Sequence, residues 1–130
     1  MSDPAGALAG LILGVIEKSL AALNVSFPCR VVSFDSGTCM AVVQPLIKSS
    51  SGAEPSPIQN VPALGQRMIV DGVERVYKPA LREGDAVLVV CTDQELKNVL
   101  AGTLAQPSSK RTHNNNDAVI VGVMPCSLLN

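Results

Sequence analysis

The sequence predicts a mainly β chain: a small closed barrel with an N-terminal α-helix and one short helix before the last strand. Three observations carry this. Short apolar segments rich in β-branched residues recur between Gly, Pro, Asp and Ser turn signals. The connections between most of them are too short for the helical crossovers that parallel strands need. The strands are also so apolar that an open sheet would expose sticky edges, which closure into a barrel removes.

Residues 4–24 form the first unit, a helix from Pro4 to Leu23. Asp3 is placed as N-cap and Pro4 at the first helical position, where a missing N–H costs nothing. Leu8, Leu11, Ile12, Val15, Ile16, Leu20 and Leu23 recur at helical spacing. Gly6, Gly10 and Gly14 sit four apart and so share one face. Each costs about 1 kcal/mol relative to alanine inside a helix, so a regular row points to another backbone packing closely there. These three glycines are the candidate helix-packing interface.

Residues 25–126 form the barrel unit. Phe27 to Phe34 is the opening strand, Asp35-Ser36-Gly37 a turn, and Cys39 to Ile47 the second strand, with Pro45 expected at an edge or bulge. Lys48 to Pro57 is a polar loop, and Ile58 to Leu64 a short extended piece. Met68–Val70 and Val73–Tyr77 flank Asp71-Gly72, a strong hairpin signal. A turn at Arg82–Asp85 leads into Ala86 to Cys91, the most hydrophobic strand. Thr92 or Asp93 caps a short helix reaching Leu100, with Leu96, Val99 and Leu100 inward. Ala118 to Val123 is the last strand, which Pro125 stops.

Composition narrows the function. Hydrophobic residues make up 47% of the 130, which places the chain among folded globular proteins. Net charge is −1 with scattered Lys and Arg, which is not the footprint of a phosphate-binding surface. Phe27, Phe34 and Tyr77 are the only aromatics, too few for a platform that stacks single-stranded bases. Cys29, Cys39, Cys91 and Cys126 form no C-x-x-C pair, so no zinc site is expected. Cys29 and Cys39 flank a hairpin within reach of each other by sequence position, yet reduced, mostly buried thiols are expected, with assembly in a cytosol. The start lacks a basic signal-peptide region, and the apolar run Ala5–Ile16 is too short to span a bilayer.

No catalytic constellation emerges. His113 is the one histidine and lies in a polar loop, where an imidazole ordinarily bonds backbone or water. There is no G-x-S-x-G elbow, phosphate loop or dinucleotide fingerprint. Neither enzymatic activity nor a catalytic, metal or cofactor site is expected.

Four segments together resemble the N-terminal OB domain of phage baseplate central-spike proteins from contractile tails and related injection machines. They are Phe27–Asp35 (FPCRVVSFD), Ala41–Pro45 (AVVQP), Lys78–Val90 (KPALREGDAVLVV) and His113–Gly122 (HNNNDAVIVG), followed by Pro125. Gly84, Asp85, His113 and Asp117 stand at the family-like motif positions. The resemblance implies an OB-type barrel. It also implies a structural virion protein at the tail baseplate, assembled in the host cytoplasm: a homotrimeric central spike that closes the tail tube below a hub protein and helps pierce the host envelope. Residues 4–24 would then contact their copies or the hub. Many such proteins continue into a β-helix and a tip with a metal-binding His-x-His. This sequence reaches Asn130 without that motif, so either the needle or tip is a separate protein or the spike is blunt, and no metal is carried over. The alternative is an OB-fold module for single-stranded nucleic acid, against which the charge and the aromatic count both speak.

Overall fold

The computed structural model describes residues 4–22, 25–47, 52, 54–93, 95–96, 99–102, 104 and 114–129. Helix α1 runs Pro4–Ala22. Seven strands follow: β1 Ser26–Asp35, β2 Met40–Pro45, β3 Ile58–Pro62, β4 Gln66–Val70, β5 Val73–Tyr77, β6 Ala86–Cys91 and β7 Ala118–Val123. A four-residue helix α2, Pro125–Leu128, comes last.

Five strands make one antiparallel sheet in the order β3-β2-β1-β6-β7. The sheet curls until its two edges meet. Ala63, just past β3, forms a parallel bridge with Ile120 of β7, and the Leu64 N–H donates to the Ile120 carbonyl (3.1 Å). A five-stranded, partly open antiparallel barrel of this order is OB-like, as the sequence predicts. Inside it, Val31, Val43, Val61, Val87, Val89 and Ile120 are fully buried with Cys29. Each such side chain contributes about 1.5–3 kcal/mol by leaving water. The core is aliphatic because the sequence offers little else.

The curl comes from three bulges. β2 and β6 keep strict alternation, burying Ala41, Val43 and Pro45, and Val87, Val89 and Cys91. The other three barrel strands each carry one extra residue, at Val32 on β1, at Gln59-Asn60 on β3 and at Val121 on β7. Inward-facing residues there step by three rather than two: Val31 to Phe34, Ile58 to Val61, Ile120 to Val123. A bulge bends and twists its strand, which closes a small sheet upon itself. On β3 the extra residue places Asn60 at φ 53°, in the left-handed region that Asn tolerates better than most residues.

The expectations need several corrections. The Asp71-Gly72 hairpin forms, with positive φ at both residues (52° and 77°) as a type I′ turn demands. However, β4 and β5 pair only with each other, as a separate two-stranded sheet outside the barrel. Cys39 belongs to the β1–β2 turn, at φ 58° with its N–H on the Asp35 carbonyl (2.8 Å), rather than to β2. The short helix expected from residue 92 to 100 falls partly outside the described residues. Its described part makes successive three-residue turns, Val99 N–H to Leu96 O (3.0 Å) and Gly102 N–H to Val99 O (2.9 Å). Finally, Pro125 stops β7 and also opens α2, as proline at a first helical position can. Pro45 lies in an interior strand, but β3 pairs with β2 only as far as Val43, so the ring nitrogen interrupts no ladder on that side.

Candidate functional site

The residues singled out by sequence do not converge. Gly84 and Asp85 form the turn that enters β6. Gly84 has φ 89°, which disfavours any side chain, and donates its N–H to the Val31 carbonyl (2.8 Å). Asp85 Oδ2 accepts the Arg82 N–H (2.9 Å) and closes the turn. Asp117 stands beyond the other end of β6, where Cys91 pairs with Ala118. A six-residue strand is about 20 Å long, so the two carboxylates cannot serve one reacting centre. His113 lies outside the described residues. No group of three or more His, Cys, Asp or Glu suited to a metal occurs among the described residues.

Asp117 is the residue whose role sequence reasoning did not supply. It is fully buried, at the end of a 3₁₀ turn, Asn115–Asp117, which Asn114 caps by accepting the Asn116 N–H (2.9 Å). Asp117 Oδ1 accepts the Leu96 N–H (3.1 Å), and its carbonyl accepts the Thr92 N–H (3.0 Å) and Thr92 hydroxyl (3.3 Å). The carboxylate thus fastens the chain leaving β6 to the chain entering β7. A buried charge persists only with such bonds. Its only sequence signal was an acid directly before an apolar strand. Next to it, burial and then the Asp117 charge push the Cys91 thiol up to about 11. Burial, with Cys91 nearby, pushes Cys29 up to about 12. Both are inert thiols inside the barrel. None of the four cysteines is in a disulfide. Cys29 lies opposite Pro45, while Cys39 sits in the turn at the far end of β2, so the two do not meet.

What stands out chemically is uncovered apolar surface. On α1, Leu8, Leu11, Ile12, Leu13, Val15 and Ile16 are 47–66% exposed. At 3.6 residues per turn they occupy roughly 200° of the helix circumference. Gly6, Gly10 and Gly14 face the opposite side, the first two exposed and Gly14 half-buried. A Cβ added to Gly10 or Gly14 meets nothing within 4 Å, so no contact among the described residues requires those glycines. No helix among the described residues is long and apolar enough to cross a membrane. A helix apolar over so wide an arc is ordinarily covered.

The aromatic side chains are placed unlike those of a base-stacking surface. Phe27 and Phe34 are partly buried against the core, which leaves Tyr77 as the exposed ring.

A sequence profile of the family described as phage protein Gp138 N-terminal domain matches residues 27–122. That span covers every barrel strand except the first residue of β1 and the last of β7, and it excludes α1. No curated protein matches the chain.

Proposed function

The chain belongs to the phage protein Gp138 N-terminal domain family, and on that premise we propose that it is a structural virion protein. It forms a homotrimeric central spike at the tip of a tail baseplate, closes the tail tube below a hub protein and helps breach the host envelope. The observation that carries this is the pairing of an OB-like barrel with α1, whose broad apolar face nothing among the described residues covers. A curled sheet with bridged edges resists deformation because backbone hydrogen bonds tie each strand to its neighbours. That suits a part pushed axially against an envelope. Residues 4–24 supply the contact with other copies or with the hub. Three identical barrels around an axis close as a ring of unlike surfaces, without an open end.

The test is the mass of the purified chain in solution, by native mass spectrometry and sedimentation at micromolar concentration. The expected species is three copies of a 13.5 kDa chain. A monomer at all concentrations up to about 100 μM, well above the Kd of a standard-sized interface, refutes it.

A further inference from the structure

We propose that the groove crossing β3, between the β1–β2 turn and Leu96, Leu100 and Asn116, is a binding site for a neutral saccharide. This goes beyond the structural role above and stands whether or not the chain trimerises.

The bulge on β3 builds the centre of the groove. It leaves Gln59 and Asn60 side by side and exposed, between the buried Ile58 and Val61. A bulge commonly re-aims a side chain beside a site. Two recesses meet there, since both are lined by Met40 and Asn60. One, of about 580 Å³, also touches Ser33, Phe34, Asp35 and Thr38. The other, of about 330 Å³, reaches Gln59, Pro62, Leu96, Leu100 and Asn116. Both volumes fall within the range of small-ligand pockets. Asp117 fixes the far wall: its Oδ1 accepts the Leu96 N–H (3.1 Å), and it adjoins Asn116 in the same 3₁₀ turn.

The polar groups of this groove are not spent on the fold. The side-chain amides of Gln59, Asn60 and Asn116 make no hydrogen bond among the described residues. In the turn that carries Asn116, the buried Asn115 Oδ1 has no partner among them either. Buried acceptors are ordinarily paired, so this turn is one whose hydrogen bonding the chain alone does not complete.

The chemistry of the walls selects the ligand. A carboxamide both donates and accepts, as a hydroxyl does. Three carboxamides with Ser33 and Thr38 therefore match the hydroxyl rim of a sugar. Phe34, Met40, Pro62 and Leu96 offer apolar surface to the C–H faces of its rings. No Lys or Arg lines either recess among the described residues, and Asp35 adds a negative charge. A phosphate backbone is disfavoured on both counts. Apolar walls with a few convergent polar groups are the general form of a small-molecule site.

The test is a titration of the full chain with cellotetraose, maltotetraose and chitotetraose, followed by backbone amide NMR shifts. At least one should give saturable shifts at residues 33–42 and 59–62 and at Leu96 and Asn116, half-maximal below about 5 mM. This map needs no variant to fold. Gln59→Ala with Asn60→Gly removes two amides and keeps the left-handed backbone at residue 60. The double variant should melt with the unaltered chain and bind about tenfold more weakly, the effect of two lost neutral hydrogen bonds. No response to any of the three sugars, shifts that map elsewhere, or a folded double variant with unchanged affinity overturns the site. A short thymidylate oligonucleotide is the rival ligand. Shifts in the same residues with it, and none with the sugars, overturn the saccharide assignment in favour of nucleic acid. A monomeric chain that binds sugar refutes the trimer and leaves the groove standing.

Discussion

Replacing Asp117 with alanine removes the carboxylate that holds the Leu96 N–H, while the bonds from Thr92 to the Asp117 carbonyl stay in place. The Leu96 N–H, 3.1 Å from Oδ1, is left without its partner, at a cost of about 1–3 kcal/mol for a buried donor. The side chain is fully buried, so its loss also leaves a small void worth up to about 1 kcal/mol. Relief from burying a charge offsets part of this, and the expected net loss is about 2–3 kcal/mol. Unfolding entropy near 2.1 cal/mol/K per residue makes each kcal/mol worth about 3–4 °C in a chain of this length. The melting temperature should therefore fall by roughly 8–10 °C. Asp117→Asn keeps an oxygen facing Leu96 and should lose about half as much. Urea denaturation at pH 7 gives the free energies, and hydrogen exchange at the Leu96 amide localises the effect. An alanine variant within about 0.5 kcal/mol of the unaltered chain, the ordinary scatter of surface substitutions, with unchanged exchange at Leu96, would refute the latch.

Two further outcomes follow from the core. The thiols of Cys29 and Cys91 rise from 9.0 to about 12 and about 11 in the folded chain. Their contribution to stability is therefore complete below pH 9 and disappears as the pH climbs through 11–12, because the unfolded chain ionises first. Stability should fall by about 1.4 kcal/mol per pH unit for each thiol above pH 9. Cys29→Val should make the decline shallower, and at pH 8 a thiol reagent should modify exposed Cys126 well before Cys29 or Cys91. Ile120→Ala should cost about 2–5 kcal/mol, measured by urea denaturation. It should also speed exchange at the Leu64 amide, because Ile120 fills the core at the one bridge that closes the barrel.

Much of this fold is written locally. Ala86–Cys91 and Ala118–Val123 are uninterrupted apolar runs between turn residues, and they are strands β6 and β7 with those bounds. Asp71-Gly72 tolerates the left-handed backbone of a tight hairpin, and α1 follows its helical spacing from Pro4. The bulges were harder to see. Alternation along Phe27–Phe34 assigns Ser33 to the core and Phe34 to water, yet Phe34 packs inward because Val32 is skipped. The three-residue steps Val31–Phe34, Ile58–Val61 and Ile120–Val123 were the available signal. They look like irregularity until a partner strand supplies the register. The latch at Asp117 was equally hidden, since its partners Leu96 and Thr92 are more than twenty residues away.

The sequence alone determined what depends on neighbours along the chain. Its period, turn chemistry and aliphatic composition specified short strands, a leading helix and a core without large rings. Tertiary structure decided which strands closed the barrel and which two were left outside it. The reason is that a strand's hydrogen bonds run sideways to residues far away in sequence. Pairing is therefore settled only when distant edges such as Ala63 and Ile120 come together.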